Sequence, residues 1–253
     1  SPAPAPSPSP AHAPSPSPSP SPAPSPSPAP ALDKSATEDG VAQTPNGIAK
    51  VSTTESKDIS INTVDQITTV TAESGIKNMT IEIKNNFYVR GKKLLKPIFT
   101  LIHTDNSVLT LSNTKTIGAS INAKKGANTI TFVDTRLKSS AVNGGKGEEL
   151  ITVEEGTKLI GKNTFSLGNG KDTVIIKGSV KTLIIDNGND RKKDVTTIES
   201  YDLIKKKLAI NNFGKKDQLI IEGEVFNYKP IKNHTINNLL EEHGIFIDII
   251  DNK

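Results

Sequence analysis

Five segments in the second half of the chain follow one plan at almost constant spacing: KKGANTITF (124–132), GKGEELITV (145–153), GNGKDTVII (168–176), DRKKDVTTI (190–198) and GKKDQLII (214–221). Each has a basic or Gly-rich turn, then an Asn, Glu or Asp, then a short run of strand formers. The polar residues are Asn128, Glu149, Asp172, Asp194 and Asp217, at steps of 21, 23, 22 and 23. Asn106 lies 22 residues before Asn128, with its following strand one residue out of register. Second apolar stretches intervene at Ile117–Ile121, Ile160–Phe165, Leu183–Ile185 and Leu208–Phe213. A unit of about 20–25 residues carrying two or three short strands is what one coil of a stacked repeat fold requires. The recurrence therefore predicts an all-β parallel β-solenoid with coils of about 22 residues, Asn and Gly marking the turns because they tolerate positive φ. An antiparallel β-sandwich with regularly spaced turns is the alternative, since residues 59–111 show no comparable period.

Upstream, the chain changes character twice. Residues 1–31 alternate Pro with Ser or Ala, with His12 as an interruption. Pro at every second position forbids helix and sheet and favours an extended polyproline-II arm. Such an arm serves as a spacer, as an O-glycosylated stalk (candidate positions Ser7, Ser9, Ser15, Ser17, Ser19, Ser21, Ser25 and Ser27), or as a strap on a neighbouring subunit. Residues 32–57 are polar and aperiodic and read as a linker. From Ile59 onward, segments such as ISINTV, MTIEIK, PIFTLI and VLTL alternate with period two, which argues strands. The expected organisation is an arm (1–31), a linker (32–57), an N-terminal β segment (58–112), a β-repeat region (113–232) and a C-terminal cap (233–253). In the cap, Ile236–His243 reads as a helix stopped by Gly244, followed by a last strand, Ile245–Ile250.

Composition excludes several chemistries. With no Cys there are no disulfides, thiolate metal sites or Cys nucleophiles. Aromatic residues are 4% and Trp is absent, so stacking platforms for bases or sugars are hard to assemble. The net charge of +4 is carried mainly by Lys, with Arg90, Arg136 and Arg191 the only arginines, which does not suit a nucleic-acid binder. No apolar run is long enough to span a membrane. The four histidines (His12, His103, His234, His243) form no metal-binding pair. NGGKG (143–147) lacks the Ser/Thr and helix of a P-loop. Asn78-Met79-Thr80 fits a glycosylation acceptor but stands at a strand start. Thr129 and Thr131 do not recur at one position in every coil, which speaks against an ice-binding ladder. The sole Met is Met79 and the first residue is Ser1, as after processing or excision from a longer chain.

LGNGKDTVI (167–175) resembles the glycine-rich nonapeptide of hemolysin-type (RTX-like) calcium-binding repeats, with Gly168, Gly170, Asp172 and Val174 in place. The stretch 208–231 is similar to segments that follow such repeats in secreted bacterial surface proteins. The resemblance covers about residues 115–231; Leu167 stands where that family has its first Gly, and the family's period is nine. It implies a calcium site drawing on Gly168, Gly170, Asp172, Asp190, Asp194 and Asp217. Calcium needs six or more oxygen ligands, and Lys171, Lys192, Lys193, Lys215 and Lys216 stand beside these carboxylates as alternative neutralisers. A second chemistry is a carboxylate pair acting on a glycosidic bond, because stacked Asp172, Asp194 and Asp217 lie about one strand spacing apart. The function these features favour is non-enzymatic: an extracellular, cell-surface or virion structural protein needing no cofactor. Its expected partners are further copies or neighbouring subunits contacted through residues 1–31, and surface glycans. A calcium-dependent adhesion module and a polysaccharide-active enzyme are the alternatives.

Overall fold

The computed structural model describes residues 41–43, 49–52, 59–64, 67–77, 80–83, 86–101 and 106–249, all within one unit that spans 34–253. The arm and its serines, most of the expected linker and Asn78 lie outside the described residues. Strands β1 (Val41–Gln43), β2 (Ala49–Ser52) and β3 (Ile59–Val64) come first. The coils follow. The first two are β4 (Ile67–Lys77) with β5 (Thr80–Ile83), and β6 (Asn86–Leu95) with β7 (Ile98–Leu101). Two three-strand coils come next: β8 (Asn106–Ser112), β9 (Lys115–Ile117) and β10 (Ser120–Ala123), then β11 (Ala127–Val133), β12 (Arg136–Lys138) and β13 (Ala141–Asn143). Later coils fuse two strands into one: β14 (Glu149–Val153) with β15 (Lys158–Ser166), β16 (Thr173–Ile176) with β17 (Ser179–Asp186), and β18 (Val195–Ile198) with β19 (Ile204–Phe213).

The fold is a parallel β-solenoid, and the sandwich alternative falls because every coil-to-coil pairing is parallel. Three ladders run along it. In the first, Leu109, Ile130, Ile151, Val174, Thr196 and Leu219 share one register position. The second aligns Leu94, Thr116, Leu137, Leu159, Val180 and Ile204. The third aligns Phe99, Ile121, Val142, Phe165, Ile185, Ile210 and Ile247. These inward columns form one continuous apolar core, in which Phe132 and Phe165 stack with ring centroids 6.2 Å apart. Strand period two puts every other residue into it. The parallel ladders begin at β4 and β5, so stacking starts well before residue 113, where the recurrence becomes readable.

The ends differ from the middle. At the N-terminal end β3 folds back antiparallel on β4, and β1 and β2 add antiparallel to β5; part of the expected linker is therefore strand. At the C-terminal end β20 (Gln218–Ile221) is covered by antiparallel β21 (Glu224–Asn227). Helices α1 (Tyr228–Lys232) and α2 (Asn237–Glu242) follow, and β22 (Ile245–Ile249) then adds parallel to β19. The expected cap helix and last strand are thus present. Gly244 makes the turn between them with φ +72°, where an added Cβ would lie 2.7 Å from the Lys206 carbonyl oxygen. Among the described residues no helix is long and apolar enough to cross a membrane.

Candidate functional site

The turn that leads from the third ladder back to the first carries the polar residues of the recurrence. Asn128 and Glu149 are register partners, and Asp172, Asp194 and Asp217 each stand immediately before the next paired strand. All five are buried, Asp172 completely. The upstream member of this column is Ser107, which pairs with Asn128, rather than Asn106, which pairs with Ala127. Ser107 is invisible to a search for amides and carboxylates, and only the register finds it.

Glu149, Asp172, Asp194 and Asp217 each reach toward the coil before their own. Asp172 Oδ1 accepts the Glu149 N–H at 2.7 Å, Asp194 Oδ1 accepts the Asp172 N–H at 2.9 Å, and Asp217 Oδ1 accepts the Asp194 N–H at 3.0 Å. Glu149, one methylene longer, accepts through Oε1 from Asn128 Nδ2 (3.2 Å) and the Gly145 N–H (3.3 Å). At the end of the column, Asp217 Oδ2 also accepts from the Gly214 N–H and from Asn187 Nδ2. A strand-entry N–H facing a turn has no ladder partner, and the carboxylate oxygens supply one. The column is therefore a backbone-satisfying device.

The outer oxygens are less well provided for. Glu149 Oε2, Asp172 Oδ2 and Asn128 Oδ1 are buried without a hydrogen-bond partner. Burial in this column pushes the Asp172 and Asp194 carboxyls up to about 8, against the pull of the backbone N–H groups that favour the charged form. Neighbouring carboxylates of the column push in the same direction as burial. Glu149 is raised for the same first reason, burial. A proton held on a carboxyl of the stack both removes the repulsion and supplies a donor that an ionised stack lacks.

The implied calcium set does not converge. Asp172, Asp194 and Asp217 share the column, but each spends an oxygen on backbone. Asp190, outside the column but near enough for its charge to act on Asp172 and Asp194, accepts from the Gly170 N–H (2.8 Å) and the Lys192 N–H (2.8 Å). Gly168 and Gly170 are required by stacking: a Cβ on Gly170 would come within 2.0 Å of the Gly147 carbonyl oxygen on the coil before. Among the described residues no group of three or more His, Asp or Glu side chains is arranged to hold a metal ion. Lys171, Lys192, Lys193, Lys215 and Lys216 are exposed, and among the described residues none of them forms an ion pair with the buried carboxylates; Lys177 and Glu154 form an ion pair at 3.0 Å. Asp172 and Asp194, the pair considered for glycosidic chemistry, are both buried.

Two outward rows escaped the sequence pattern. Thr110, Thr131 and Thr152 do share one register position, continued by Thr197, although Ile175 and Ile220 interrupt them. On the second ladder, Lys93, Lys115, Arg136 and Lys158 align on successive coils. His243 stacks against Tyr201, ring centroids 4.2 Å apart, in the cap. No family model, no curated protein and no solved structure matches the chain.

Proposed function

We propose that the chain is a non-enzymatic structural protein of an extracellular, cell-surface or virion assembly, with the β-solenoid as a display module. The Pro/Ser/Ala segment 1–31 would serve as its tether or inter-subunit strap. The observation that carries this reading is the inward placement of the carboxylates. The groups best suited to catalysis are spent on holding one coil to the next, and they are buried. What remains outside is a set of repetitive flat ladder faces, which suits association with other surfaces. The supply of neighbours through residues 1–31 rests on the length of an arm that has no core to join.

Electron microscopy of the full chain, purified from its native source with its intact mass measured, tests the proposal. Filaments, sheets or particles containing several copies are expected. A chain lacking residues 1–31 should keep its β-sheet circular dichroism and lose the assembly. A monodisperse monomer with turnover on a polysaccharide panel would end the structural reading.

A further inference from the structure

The second ladder carries an unusual concentration of one sign of charge. Lys93, Lys115, Arg136 and Lys158 occupy a single register position on four consecutive coils, and all four are exposed. The row begins after Gly75 and stops at Ser179, which hold the same position on the flanking coils. The segments that build this face, KLLK (93–96), KTIG (115–118), RLKS (136–139) and KLIG (158–161), contain no acidic residue and add exposed Lys96 and Lys138. Acidic residues stand in the preceding turns, Asp134 and Glu155 among them.

Strands in a ladder lie about 4.8 Å apart, so the four cations span roughly 14 Å in a straight line. Like charges placed directly opposite on adjacent strands repel and cost stability. Here that cost is repeated three times along one column, with no ion pair to these four residues among the described residues to offset it. By contrast, the outward positions of the first ladder between Val108 and Ile220 carry no charge. Other strands carry cations too, but they are not stacked in this way: Lys162 and Lys207, for example, both stand opposite Thr182.

We infer that this column is a binding surface for a linear acidic polysaccharide, a chain bearing carboxylates at regular intervals, laid along the solenoid axis. A straight row of cations one strand spacing apart offers repeated charge contacts to a linear chain that carries a carboxylate on every sugar. The face has no aromatic side chain on which a base can stack, which favours a glycan over single-stranded nucleic acid. The neighbouring outward column, Leu95, Ile117, Lys138 and Ile160, is half-buried at its apolar members and broken by a further cation, which leaves a narrow apolar strip rather than the broad apolar face that a lipid surface engages. The inference deepens the proposed surface role and is separable from it, because binding is read on the purified chain whether or not it assembles.

The test is calorimetric titration of the full chain with a polygalacturonate oligomer, with neutral dextran and a single-stranded oligonucleotide of similar length as comparators. Wild type should bind polygalacturonate in low salt, weaken as salt rises, and ignore dextran. Arg136→Glu with Lys158→Glu should bind on the order of tenfold more weakly, two lost charge contacts being the source. A control with the same change in net charge, Lys192→Glu with Lys215→Glu, should bind as wild type does. If the reversals disturb folding, Arg136→Gln with Lys158→Gln replaces them. That pair should melt no lower than wild type, since it relieves repulsion, and should still lose affinity. Equal loss in the column and control variants, absence of polygalacturonate binding, or a tighter column-dependent grip on the oligonucleotide would each overturn the inference.

Discussion

At the scale of single residues, Asn128 is informative because it is an amide in a column otherwise made of carboxyls and a hydroxyl. It acts as a donor, its Nδ2 reaching the Lys125 and Gly126 carbonyls and Glu149 Oε1, so the position accepts an uncharged side chain. Asp172 and Asp194, raised to about 8 by burial, hold protons in the folded state that they release when unfolded above their ordinary range near 3.8. The folded chain thus binds more protons, so stability is fully present below the unfolded value and is lost as pH rises through the folded one. The melting temperature should fall between about pH 4 and pH 8 in a thermal scan series. Asp172→Asn with Asp194→Asn should flatten that slope and raise the melting point at pH 9; an unchanged slope would refute protonation of the column. Gly170 makes a second, independent demand. With the Gly147 carbonyl so close to where a Cβ would stand, Gly170→Ala should cost more than about 3 kcal/mol in denaturant unfolding, well beyond an ordinary surface change.

At the scale of elements, legibility followed how much of each coil is written in distinctive residues. The turn leading into the first ladder combines Gly, Lys and a carboxyl, and it announced the period. The cap helix and last strand were readable because Leu239-Leu240 stand before Gly244, the usual stop for a helix. The N-terminal coils gave no sign of the period, because the column there passes to Ser107 and the turns change residue type. Lys96 and Ser139 adopt positive φ (50° and 49°) at turns where Gly118 and Gly161 serve on neighbouring coils. Side chains in the left-handed region are uncommon, so composition pointed elsewhere. What the carboxyls do was also hidden, since a stack of aspartates reads as a metal site until their backbone donors are known. The cap itself depends on few apolar anchors, chiefly Tyr228, Ile231 and Leu240. Leu240→Ala should destabilise the C-terminal end by about 2–4 kcal/mol, the range for an emptied buried leucine site. Hydrogen exchange should then speed up first in β22 and β19, leaving β11 and β14 protected.

At the scale of the whole molecule, the described unit spreads its stability over similar contacts between neighbouring coils, and no single centre organises it. A bound ion that held the column together would make stability depend on its concentration. Protons already perform that neutralisation at ordinary pH. Melting in excess calcium and in chelator should therefore coincide at pH 6, and a rise of several degrees with calcium would restore the ion-binding reading.

The aspartates all lean the same way, each completing the hydrogen bonding of the coil made before it. A coil leaving the ribosome is consequently unfinished, its strand-entry amide exposed until the following turn has been synthesised and swung into place. Closure advances one turn behind synthesis, toward the carboxyl terminus. A chain cut short after the coil that begins at Glu149, Asp172 or Asp194 ends on an amide without its acceptor, so truncation wounds the turn that remains as well as removing the one that is lost.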